Sequence, residues 1–157
     1  MLLDEHDELV ALGASDAASG RLEQVQQRLG VGPGRDAMST GRPIAVADLA
    51  TALGDHPDYT VVWRALQDAD DDNFGDGSAG RSAASRVRAV LAVPVRSHGD
   101  MVGNLNAISE RVEPWTQRQI RAVQAYADVI GTLLTLSATA VDASQGVNGS
   151  RWDGQRA

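Results

Sequence analysis

Hydrophobic positions change period along the chain, and each period predicts an element. Leu2-Leu3 and Leu9-Val10-Ala11-Leu12 flank the polar, turn-like stretch Asp4 to Glu8, the pattern of a β-hairpin that begins in mid-strand. From Asp16 to Leu29, Leu22, Val25 and Leu29 recur at helical spacing and Gly30 is a stop signal; the Gln-rich remainder reads as a solvated face. The stretch LGVGPGRDAMSTGRPIAVADL, Leu29 to Leu49, is the densest in local grammar. Pro33 suits the first turn of a short helix, Gly41 suits its left-handed close, and Pro43 turns the chain into a short apolar strand, Ile44 to Ala47. Asp55-His56-Pro57 opens a further helix, with Tyr59, Val62, Trp63 and Leu66 at i, i+3, i+4 and i+7.

Residues 68–85 carry no periodicity, being acidic and then Gly/Ser/Ala-rich, and read as a loop. Val87 to Val95 reads as a strand with Val87, Ala89, Leu91, Val93 and Val95 on one face and Arg88 and Arg96 at the ends of the other. Val90 and Ala92 between those arginines are apolar too, so the middle of this strand is expected to be covered on both sides. Pro94 lacks a ladder donor and argues for an edge or a bulge. The turn Ser97-His98-Gly99-Asp100 leads into a partner strand, Met101 to Ser109. Pro114-Trp115-Thr116 then opens a long helix to about Ala138.

That last helix has two apolar stripes. Ile120, Val123, Ala127, Ile130 and Leu134 form one; Ala122, Tyr126, Val129, Leu133 and Leu136 form the other. One sheet covers one stripe, so the second seeks another helix, and a homodimer through Tyr126, Val129, Ile130 and Leu133 is the expectation. The element order β-β-α-α-β-α-β-β-α predicts an α+β domain, an antiparallel sheet flanked by helices. The domain is expected over residues 1–139, with 140–157 as a disordered tail.

Two blocks of residues resemble one family. Gly30-Val31-Gly32-Pro33-Gly34, followed by Thr40-Gly41-Arg42-Pro43-Ile44, Val46 and Asp48-Leu49, is similar to the G-E-G-P-C … t-G-r-P-v-x-V-x-D-L segment of GAF domains of the actinobacterial, ANTAR-associated type. Leu91-Ala92-Val93-Pro94-Val95, Val102-Gly103 and Leu105-Asn106 match a second GAF block. The resemblance covers roughly Leu2 to Leu136 and implies a GAF-like sheet with a long C-terminal helix, standing alone and without the helix that usually precedes the first strand. It also implies a sensory or regulatory module, coupled to a small-molecule ligand or to a partner such as a kinase or an ANTAR-type regulator acting in trans. Gly34 stands where these domains often carry Cys, which removes any thiol role there.

Composition narrows the chemistry. The 157 residues suffice for one core, and no cysteine is present, so disulfides, thiolate nucleophiles and zinc-thiolate sites are excluded. The reduction of methionine sulfoxide and the bilin attachment known in GAF-like proteins both use Cys and fall with it. There is no nucleophile-elbow motif, and an enzyme is not expected. Net charge is −7, without a basic block, which argues against direct nucleic-acid binding. No run approaches a membrane span, and a cytoplasmic location is the simplest reading.

Candidate ligand contacts are Arg35, Tyr59, Trp63, Asn104 and Asn106. Tyr59 and Trp63 lie one helical turn apart, a spacing that serves ligand stacking and core packing alike. Arg35 and Asp36 reach a pocket or pair on the surface. Asn104 and Asn106 share a strand face and need backbone, water or ligand partners. The GVGPG segment is either a turn needing permissive backbone or a row of N–H groups for an anion. His6, His56 and His98 stand far apart in predicted turns, so no metal site is expected; a haem or cyclic-nucleotide ligand is the remoter alternative. No cofactor is identified. A degenerate GAF-like interaction module without a ligand is the main rival to the sensor.

Overall fold

A computed structural model describes residues 1–4, 6, 9–52, 56–68 and 85–149, with side chains to residue 139 in the last helix. The 68–85 loop lies almost wholly outside these residues, as do residues 150–157. The first hairpin is β1 (Leu2–Leu3) and β2 (Leu9–Val10). Helix α1 (Ala17–Leu29) starts where the Asp16 carboxylate accepts the Ser19 N–H at 2.8 Å, and it ends on Gly30 at φ 69°. Helix α2 (Pro33–Thr40) has Pro in its first turn and closes on Gly41 at φ 64°. There follow β3 (Ile44–Val46), α3 (Pro57–Gln67), β4 (Ala89–Ser97) and β5 (Asp100–Ser109). The β4–β5 turn puts both His98 and Gly99 at positive φ, 53° and 92°, the two-residue hairpin geometry that matches strand twist.

Helix α4 (Gln117–Gly149) opens with a reciprocal cap: Gln119 Oε1 accepts the Thr116 N–H at 2.7 Å while Thr116 Oγ1 accepts the Gln119 N–H at 3.3 Å. It runs past the Ala138 end that the apolar stripes predict, and residues 140–149 of the expected tail are helical. No proline interrupts that stretch, and a propagating helix adds one hydrogen bond per residue fixed. Among the described residues no helix is long and apolar enough to cross a membrane.

The sheet is antiparallel, in the order β2-β1-β5-β4-β3. Within it β4, paired on both sides by β5 and β3, is buried from Ala89 to Val95 as the run of apolar residues predicts. Leu91, Val93 and Val95 face α4, where they pack with Ala127, Val123, Ile130 and Leu134. Val90 joins Val46, Leu22, Val25, Tyr59 and Val62 in the core on the opposite face, under α1 and α3. Val87 belongs to that second core, not to the Leu91 face, because it precedes the strand and escapes its alternation. Pro94 lies in this interior strand, yet β3 reaches only as far as Ala92, and the register slips just beyond, between Val95 and Arg96. Its missing N–H therefore costs no bond to β3.

The polar remainder of α1 is solvated only in part: Gln27 and Arg28 are exposed, whereas Gln26 is wholly buried, and Arg21 and Glu23 are nearly so. Helix α4 sits close on the sheet at Gly131, where an added Cβ would lie 1.9 Å from the Arg96 carbonyl oxygen.

Segments after β3 and β5 lock one end of the sheet. Arg88 donates to Ser109 O and accepts from Leu49 N, Glu113 N donates to Ala47 O, and the Trp115 indole donates to Val46 O at 3.2 Å. Asp48 holds this corner, taking a bidentate pair from Arg88 (2.9 and 2.6 Å) and the Ala50 N–H. Those Arg88 hydrogen bonds keep the Asp48 carboxyl below the usual carboxylate range. Its folded pKa thus lies below its unfolded value, near ~3.9. The stabilisation is present above that value and lost as pH falls through the folded one. Asp48→Asn is expected to unfold at lower urea than the parent at about pH 7, with a narrower gap at about pH 3. An equal gap at both pH values would deny the carboxylate this role.

Candidate functional site

Tyr59 stands in the first turn of α3, which Pro57 opens, and its ring is buried in the core beneath α1. Its hydroxyl crosses to α2 and donates to the Asp36 carboxylate. Burial above all, and then this carboxylate, push the Tyr59 hydroxyl well above its usual range, so it acts as a neutral donor. The His56 ring stacks on Tyr59 with centroids 4.6 Å apart and an interplanar angle of 12°. Its Nδ1 lies 3.8 Å from Asp36 Oδ2. Asp36 and His56 are 40% and 50% exposed, so the cluster forms an edge that water and solutes reach.

Cavities flank this edge. One of about 470 Å³ runs along Ala45 to Asp48 past Thr51 and Ala52 to His56 and Tyr59. The other, about 200 Å³, lies between the Gly30–Gly32 turn and the start of α3. An open cleft with a carboxylate, an imidazole and a buried phenol in fixed order can orient a polar small molecule.

The two asparagines meet, but elsewhere. Asn104 is buried and donates through Nδ2 to Asn106 Oδ1 at 3.0 Å. Beside them Gln26 Oε1 accepts the Gly34 N–H at 2.8 Å. Three polar atoms of this cluster, Gln26 Nε2, Asn104 Oδ1 and Asn106 Nδ2, are buried without a protein partner. The glycines of GVGPG make room for it. A Cβ on Gly32, at φ 134°, would stand 2.6 Å from Gln26 Oε1, and one on Gly34 would stand 2.5 Å from Asn104 Nδ2. With its N–H taken by Gln26, Gly34 offers nothing to an anion, and the segment works here as a turn.

Arg35 points outward and lines neither cavity. Trp63 packs half-buried against the α1–α3 core, its indole N–H enclosed without a partner. The five candidate contacts therefore do not converge on one place. Sequence reasoning missed the union of Asp36 and His56 with Tyr59, which joins residues 23 positions apart through a helix-to-helix contact. It also missed Gln26, although Gln26 falls four residues after Leu22, in the apolar stripe of α1. His6 and His98 are exposed, and among the described residues no group of three His, Cys, Asp or Glu side chains could hold a metal ion.

On α4, Tyr126, Val129, Leu133 and Leu136 are 57–69% exposed. Ile130, grouped with them in the expected interface, packs against the sheet instead, because it shares a face with Val123, Ala127 and Leu134. The outward positions run 122, 126, 129, 133 and 136, alternating steps of four and three, and the sequence continues this through Ala140, Ala143 and Val147.

A GAF domain family model matches residues 1–134. No curated protein matches the chain. Among solved structures it is similar to GAF3 of Slr1393 from Synechocystis sp. PCC6803, in that protein's photoproduct state, at 20% identity and a TM-score of 0.45. That match covers 74% of this chain and 60% of the other, less than two thirds of its length.

Proposed function

Because this chain belongs to the GAF family, we propose that it is a non-catalytic regulatory module of signal transduction, pairing with a second copy through α4. GAF domains are generally sensory or regulatory and typically non-catalytic. The observation that carries the reading is the exposed stripe of four large apolar side chains on α4, at coiled-coil spacing. The positions flanking it (Ile130, Thr132, Ser137 and Thr139) bear no charge, so a second copy of an acidic chain meets no like-charge repulsion along this seam. The cleft at Asp36, His56 and Tyr59 takes the small-molecule ligand, and a kinase or an ANTAR-type regulator in trans receives the signal.

A specific observation favours the rival, an interaction module with no ligand. The interior between the sheet and helices α1, α2 and α3 is occupied by Gln26, Asn104 and the Tyr59 core.

Native mass spectrometry, repeated under denaturing conditions, tests both readings. The parent is expected to be a dimer and Leu133→Glu a monomer with unchanged far-UV circular dichroism. A monomeric parent overturns the pairing; extra mass lost on denaturation reveals a ligand, and its absence supports the rival.

A further inference from the structure

The outward stripe of α4 also bears on how two copies lie along each other, given the pairing proposed above. Its steps of four and three place Tyr126 and Leu133 at a-type positions of a heptad and Ala122, Val129 and Leu136 at d-type positions. All five are exposed, as are Arg118 and Arg121 in the first two turns of the helix. Those turns hold no acidic residue, and neither arginine enters an ion pair among the described residues. Both stand at the positive end of the helix dipole, where a basic side chain is disfavoured.

Parallel two-stranded pairs favour β-branched side chains at a and Leu at d, whereas here Leu133 is at a and Val129 at d. A parallel pair would also set Tyr126 on Tyr126 and Val129 on Val129, a wide layer beside a narrow one. It would gather Arg118 and Arg121 of both copies, and two positive helix ends, at one end of the seam. With one helix reversed, each a position meets a d position instead. Tyr126 then packs on Leu136 of the second copy and Leu133 on its Val129, so every large side chain of the stripe meets another. A slide of one heptad either way sets two of these four against Ala or Gln119. We propose that two copies pair through antiparallel α4 helices, about an axis at the level of Gly131. Because α4 spans Gln117–Gly149, this centring lays each C-terminal end beside the first turns of the other copy, where its negative dipole end offsets Arg118 and Arg121. Asp128 lies three residues from the axis and comes near its own copy in either arrangement. The C-terminal ends of α4 then stand about 54 Å apart along the seam, at 1.5 Å per residue. Such a dimer offers a signalling partner two separate ends in place of one shared stalk.

The full chain has no cysteine, so a spin label on a single introduced one reads the distance between copies by pulsed electron paramagnetic resonance. Thr132→Cys, on the exposed flank of the stripe and almost level with the axis, should read below about 20 Å for helices packed about 8–10 Å apart. Gln117→Cys, at the exposed first residue of α4, should read at least about 42 Å, the span of about 28 helical residues. Both distances are expected to vanish in the Leu133→Glu background. Short distances at both positions mean a parallel pair and overturn the orientation while leaving the pairing intact. No distance at either position removes the pairing, and this proposal with it. Distances that persist in the Leu133→Glu background put the contact away from the stripe and overturn the proposal too.

Discussion

Gly131→Ala is expected to destabilise the protein by about 2 kcal/mol, a fall in Tm of roughly 4–8 °C for a chain of this size. Ala is the better helix former by about 1 kcal/mol, and in an exposed position the substitution would stabilise α4. Here the new Cβ would meet the Arg96 carbonyl oxygen at 1.9 Å and its carbon at 2.9 Å. These are backbone atoms next to the register slip in β4, and no rotamer moves them aside. Overpacking of this kind costs about 3 kcal/mol at the upper end of its usual range, which outweighs the propensity gain. Thermal unfolding by circular dichroism checks this, and a variant melting at or above the parent would show that the close approach constrains nothing.

Gln26→Ala is expected to cost more, about 3 kcal/mol. It empties a fully buried volume and removes the acceptor of the Gly34 N–H at the start of α2. Gln26→Leu separates the two effects. It keeps most of the volume, removes the unpartnered Nε2 and leaves only the Gly34 donor unmet, for a net cost of about 1 kcal/mol. Urea midpoints should rank parent, Leu variant and Ala variant in that order. A Leu variant equal to the parent would mean that the Gly34 hydrogen bond contributes nothing.

Much of the fold was legible in the sequence because its elements are bounded by local chemistry. Asp16 and Gly30 delimit α1, and Pro33 and Gly41 delimit α2, through caps and backbone preferences that depend on near neighbours alone. The apolar run from Ala89 to Val95 announced a strand covered on both faces, and the GAF-like motifs fall within the segment that the family model matches. Contacts made at a distance were hidden. Gln26 looks solvated in sequence because its neighbours are polar, and only the arrival of α2 and β5 encloses it. Asp36 was read beside Arg35, its neighbour in sequence, whereas its partners arrive with α3. Ile130 was counted in the expected interface although its stripe, shared with Val123, Ala127 and Leu134, is the one that meets the sheet. Spacing orders residues on one element. It does not say which element comes to meet them.

The locked corner beyond β3 bears on how other chains can approach. At the last strand of the sheet, two successive carbonyls, those of Val46 and Ala47, are already taken by Trp115 and Glu113, and the strand has three residues. At the other end, β2 has two. Among the described residues, an extended peptide adding itself to either side would find no long row of free backbone groups to zip onto. Strand addition, and the fibrillar stacking that follows the same geometry, is thereby discouraged by the architecture, leaving helical surfaces to carry this domain's encounters.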